Sequence, residues 1–107
     1  MANIGYEKSS GNVFEDLGLG NAKEMLIKAE LAFKINALLQ KRKLRQADAA
    51  KLLETSQNKI SLLSKGRLKG FSLEKLMHYL IKLDLDIRIV IKPKPRSHKK
   101  ATITVAA

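Results

Sequence analysis

The sequence predicts an all-α domain, a helical bundle followed by one C-terminal β-strand. Three observations predict it. Apolar residues recur at helical spacing between Ala22 and Leu83, broken only by short polar gaps. Within that span, two short runs at residues 46–53 and 57–63 are separated by three residues. After Leu83 the pattern changes to a period near two and to β-branched residues.

Residues 1–20 are read as an arm and a strap. The arm, residues 1–12, is polar and ends Ser9-Ser10-Gly11-Asn12. The strap brings Val13, Phe14, Leu17 and Leu19 to lie on the helical core. A long helix then runs from Asn21, which forms a capping pair with Glu24, to about Lys43. Its broad face carries Ala22, Met25, Leu26, Ala29, Ala32, Phe33 and Leu39 and is expected to turn inward. A narrower stripe of Ile27, Leu31 and Leu38, with Ile35 at its border, lies beneath the strap or forms a dimer or partner interface.

The next two helices are short. Ala49, Ala50, Leu52 and Leu53 share helical spacing, and so do Ile60 and Leu63, with Leu62 one step round. Ser56 is a suitable N-cap for the second helix. Ala50 supplies the small residue two such helices need where they cross, and Ile60 and Leu63 face it as a wedge. This is the helix-turn-helix pattern, whose second helix enters the major groove of DNA. Gln57 and Asn58, at the start of that helix, each offer a donor and an acceptor that match an adenine edge. Ser61, one turn on, reaches a base or a phosphate. Arg42, Lys43, Arg45, Lys65, Arg67 and Lys69 are the expected phosphate contacts, which position a protein without reading sequence.

On these residues the chain resembles the lambda-repressor-like (XRE) helix-turn-helix family. Gln46 opens the first helix, Ala50 is the crossing residue, Gln57 opens the recognition helix, and Ile60 and Leu63 hold apolar positions. The chain departs at Glu54, where the family usually has glycine, at Thr55, usually apolar, and at Arg45, usually a Ser or Thr cap. The resemblance implies that Gln46 meets the DNA backbone and braces Gln57. It also implies that Gln57, Asn58, Lys59, Ser61 and Leu62 face the groove, with Leu62 either opposite a thymine methyl or silent. From Gly11 to Pro93 the chain further resembles small antitoxins of the HigA-like branch, including their lead-in at residues 10–19. That branch implies a dimerising C-terminal strand, repression of the protein's own operon, and an endoribonuclease toxin as partner.

Gly66 in Ser64-Lys65-Gly66-Arg67 is a suitable left-handed residue to end the recognition helix. Ser72 caps the following helix, Glu74 suits its positive end, and Phe71 staples onto Leu76. Leu73, Leu76, Met77, Leu80 and Leu83 form its inner face. Residues 84–92, with Ile87, Ile89 and Ile91 on one side, are read as a strand stopped by Pro93. A lone apolar strand requires a partner. The expected partner is the same strand of a second subunit, paired antiparallel across a two-fold axis; the alternative is the chain's own N-terminal arm. Residues 21–92 thus make the domain. Residues 93–107 form a basic, proline-punctuated tail expected to lack fixed structure, with a short β pattern at residues 102–105.

Composition narrows the function. A formal charge of +11 on 107 residues calls for a polyanion, nucleic acid before a membrane surface. Residues 40–70 carry nine basic side chains against Asp48 and Glu54, a net +7, whereas residues 1–20 carry −2 from Lys8, Glu7, Glu15 and Asp16. The chain has no cysteine, hence no disulfide and no thiol nucleophile. His78 and His98 stand twenty residues apart, and no glycine-rich phosphate loop is present, so neither an enzyme nor a bound metal or cofactor is expected. No apolar run approaches about 18 residues and no signal pattern opens the chain, which makes the cytoplasm the expected compartment. The expected function is a homodimeric repressor on an inverted-repeat operator in double-stranded DNA. The rivals are an XRE factor without a toxin and a basic RNA-binding protein; aromatic residues for base stacking, at 5%, are too few to favour the last.

Overall fold

The structure, a computed structural model, describes residues 20–106. They form four helices: α1 (Gly20–Lys41), α2 (Gln46–Leu53), α3 (Gln57–Ser64) and α4 (Leu73–Lys82). α2 packs on α3, α1 crosses both α3 and α4, and α4 reaches α2. The arm and strap expected at residues 1–19 lie outside the described residues. α1 takes in Asn21, the expected cap, as its second residue, and Glu24 pairs with Lys28 at 3.2 Å.

All four helices end in the same way. Lys43, Glu54, Gly66 and Asp84 follow α1 to α4 with φ of 55°, 56°, 74° and 67°. After each, the next N–H turns back to a carbonyl five residues earlier: Leu44 to Leu39 at 3.2 Å, Thr55 to Ala50 at 2.9 Å, Arg67 to Leu62 at 3.0 Å and Leu85 to Leu80 at 3.1 Å. These are Schellman closures, which satisfy carbonyls that the helix leaves unpaired. A β-carbon disfavours the left-handed conformation by about 1 kcal/mol relative to glycine, and only Gly66 avoids that cost. At the other ends, Ser56 Oγ accepts from Lys59 N–H at 3.1 Å and Ser72 Oγ from Lys75 N–H at 3.0 Å, as the sequence predicts.

The core lies where the helices converge. Ile35 of α1, Leu53 of α2, Leu63 of α3, and Leu76 and Tyr79 of α4 are sealed there with Leu83. Leu68 and Phe71, from the connection between α3 and α4, are buried beside them. Phe71 meets the edge of Tyr79 at 6.3 Å between ring centroids.

Two expectations need correction. The inward face of α1 is the narrower stripe: Ile27 and Ile35 are buried, and Leu31 and Leu38 pack half-buried against the core. Ile27, Leu31 and Leu38 are therefore turned into their own chain and are not a free partner surface. Of the broad face only Ala32 and Leu39 are buried; Met25, Leu26 and Phe33 face outward, Phe33 at 74% exposure. The second correction concerns residues 84–92. Asp84 closes α4 instead of opening a strand, and no strand forms among the described residues. A strand is defined by the ladder it makes, and the described part of a single chain offers this segment no neighbour. Ile87, Ile89 and Ile91 are left exposed, the last at 92%. In the tail, His98 N–H donates to Pro95 O at 3.0 Å, and no ladder forms at residues 102–105.

Candidate nucleic-acid interface

The turn between α2 and α3 organises the site. It starts at Glu54, whose left-handed backbone reverses the chain, and ends at Ser56, which caps α3. Ala50 is buried at the crossing with Ile60 and Leu63, which brings the two helices into close contact. Gln57 and Asn58 consequently open α3 with both side chains exposed. Gln46 is exposed at the first residue of α2, and Arg45 before it holds Asp48 at 3.4 Å from a side chain that is 87% exposed.

The remaining expected contacts divide. Lys43, Lys65, Arg67 and Lys69 are exposed. Arg42 is already engaged, its Nη2 donating to Leu83 O at 2.8 Å, so that it closes the end of α4 from the α1–α2 connection. Ser61 is half-buried. Leu62 packs half-buried against the core, with part of its surface still open. Lys59 is half-buried as well. Its Nζ donates to Gly70 O at 3.3 Å and sits 4.9 Å from the centre of the Phe71 ring, drawn back onto the α3–α4 connection.

Three further contacts position the recognition helix, and none was foreseen from the sequence. Asn36 Nδ2 of α1 donates to Leu63 O at 3.1 Å, holding the end of α3. Tyr79 O–H of α4 donates to Thr55 Oγ1 at 3.1 Å. Lys82 Nζ meets Glu54 Oε2 at 2.9 Å. Lys82, by hydrogen bond and charge, holds the Glu54 carboxyl below its usual range, with a smaller contribution from His78. The signal was available: Glu54 and Thr55 are the positions where the turn departs from its usual residues, and α4 supplies a partner for each.

Among the described residues no group of three His, Asp or Glu side chains could hold a metal ion, and no helix is long and apolar enough to cross a membrane. A cavity of about 330 Å³ lies between α1 (Ala29, Glu30, Phe33, Lys34) and the end of the chain (Val105, Ala106), and it includes none of the candidate residues.

Two short helices crossing at an alanine, a left-handed turn, and a capped second helix with exposed amides define a helix-turn-helix protein. A family model described as "Helix-turn-helix domain" matches residues 13–92. A solved structure described as an XRE family transcriptional regulator is similar at 44% identity, with a TM-score of 0.77 over 82% of this chain and 99% of that one. No curated protein matches the chain. The protein belongs to the XRE-type helix-turn-helix family.

Proposed function

We propose that this protein is a sequence-specific, DNA-binding transcriptional regulator that acts as a homodimer and represses its own operon. The observation that carries this reading is the pair Gln57 and Asn58, exposed on the first turn of a capped α3 and flanked by exposed Arg45, Lys65, Arg67 and Lys69. Amide side chains at that place suit adenine edges, and the cations suit phosphates on either side. The solved relative, described as a transcriptional regulator, supports the same role. Gln46, at the start of α2, contacts the backbone beside Gln57.

The dimer is formed through residues 84–92, whose exposed Ile87, Ile89 and Ile91 gain a ladder and a buried face from the same segment of a second chain. Two recognition helices then sit about 34 Å apart and read an inverted repeat. The HigA-like resemblance supports a further step, that the protein is the antitoxin of a type II pair and binds an endoribonuclease toxin. Light scattering and footprinting on its own promoter test the regulator, and co-purification with the product of the adjacent gene tests the antitoxin. A monomer that protects no promoter sequence, or that prefers RNA to duplex DNA, refutes the regulator. A dimer with a palindromic footprint and no bound neighbour leaves a regulator without a toxin.

A further inference from the structure

Between α3 and α4 the chain makes two successive turns that carry three exposed cations. Gly66 closes α3 with φ of 74°, and Leu68 drops into the core. Phe71 N–H then donates back to Leu68 O at 3.0 Å, which places Lys69 and Gly70 at the corners of a tight turn. Lys65, Arg67 and Lys69 stay exposed around this connection. Its backbone is tied to the recognition helix through one side chain. Lys59, whose own N–H is held by Ser56 Oγ, sends its ammonium to Gly70 O at 3.3 Å and over the buried Phe71 ring.

We propose that Lys59 is a positioning residue that locks the 65–70 connection to the first turn of α3, so that Arg67 and Lys69 form a preset phosphate clamp in register with Gln57 and Asn58. The proposal rests on the DNA-binding reading above. Lys59 occupies a place in the helix where a side chain would otherwise be expected to reach DNA, yet its ammonium points to the protein. A cation bound to a carbonyl oxygen and an aromatic face fixes the loop without being a ligand itself. Phosphate contacts made by a rigid loop cost less ordering on binding than those made by a mobile one.

The test compares Lys59→Met, which keeps the stem and removes the charge and donors, with Lys59→Arg, which restores both. Without DNA, amide hydrogen exchange at Phe71 should quicken by about tenfold in Lys59→Met, while core amides of α1 and α4 keep their protection. On a mixed-sequence duplex of about two helical turns, affinity should fall by about tenfold at moderate salt. The slope of log K against log salt should drop by more than the value of about 0.9 that one phosphate contact carries. Lys59→Arg should restore both. Adding Lys59→Met to Arg67→Ala/Lys69→Ala should cost little further, because its effect runs through those two residues. Unchanged Phe71 exchange, additive losses, or failure of Lys59→Arg to restore binding would each overturn the lock. Wild-type protein that binds no duplex, with the exchange response intact, overturns the DNA-binding reading and with it the clamp, and is thereby told apart from failure of the lock.

Discussion

The phenol of Tyr79 donates to the hydroxyl of Thr55 at 3.1 Å, from a ring that is 1% exposed. The bond joins α4 to the turn of the helix-turn-helix, and it gives a polar residue a partner where an apolar one is usual. Thr55→Val would leave a buried phenol without an acceptor, at a cost of about 1–3 kcal/mol; Tyr79→Phe would lose about 0.5–1.5 kcal/mol. The double variant removes donor and acceptor together and should lie nearer to wild type than the sum of the two. Thermal unfolding of the four proteins checks this, since about 1 kcal/mol moves the Tm of a domain of this size by roughly 4–8 °C. Simple additivity would mean that the bond contributes nothing as a pair.

Glu54 combines an unfavourable backbone with a favourable ion pair. Glu54→Gly relieves the left-handed strain and loses the contact with Lys82. Both side chains are substantially solvated, so salt screens the pair and leaves the backbone gain untouched. The Tm of Glu54→Gly should therefore exceed that of wild type, and the gain should be larger in about 1 M salt than at low ionic strength. A lower Tm at high salt would contradict the backbone argument.

The same pair makes stability depend on pH in one direction. Lys82 holds the folded carboxyl of Glu54 below its ordinary value of 4.5, so the folded state binds that proton less tightly than the unfolded chain. The contribution is complete above about 4.5 and disappears as pH falls through the lowered folded value. The Tm difference between wild type and Glu54→Gln should be positive at neutral pH and shrink on acidification. A difference that grows toward acid pH would show that Lys82 is not the partner.

The two faces of α1 should respond differently to substitution. Phe33→Ser, on the outward face, should change stability by no more than about 0.5 kcal/mol. Ile35→Ala, at a fully buried position, should cost about 2–5 kcal/mol by opening a cavity among α1, α3 and α4. Chemical denaturation of both variants decides between the two faces; a severe loss in Phe33→Ser would reverse the orientation described above.

On DNA, Asn58→Ala should cost about 1–3 kcal/mol on the operator and relax preference at one base position, whereas Lys69→Ala should weaken operator and random duplex alike. Titrations of both variants against both duplexes are the measurement. Equal losses on the two duplexes for Asn58→Ala would remove direct readout by that residue.

Some features that close within about four residues were legible from the chain alone, while the closures at Lys43 and Asp84 were not. Ser56 and Ser72 cap the helices they precede and Gly66 ends α3, because each needs only neighbouring N–H and C=O groups. The exposure of Gln57 and Asn58 follows in the same way, because Ser56, Ile60 and Leu63 set the phase of α3. The choice between the two apolar stripes of α1 was not legible, since both fit a helical period and burial depends on which helices arrive beside them. Ile35 and its stripe meet α3 and α4, and Phe33 is turned away. Lys59, Arg42 and Leu62 read as DNA contacts, and the sequence did not show their long-range partners: Gly70 O and the Phe71 ring for Lys59, Leu83 O for Arg42, and the core for Leu62. Local hydrogen bonding is written in short stretches of sequence, whereas the direction a long side chain takes depends on acceptors and apolar surface that folding brings from elsewhere.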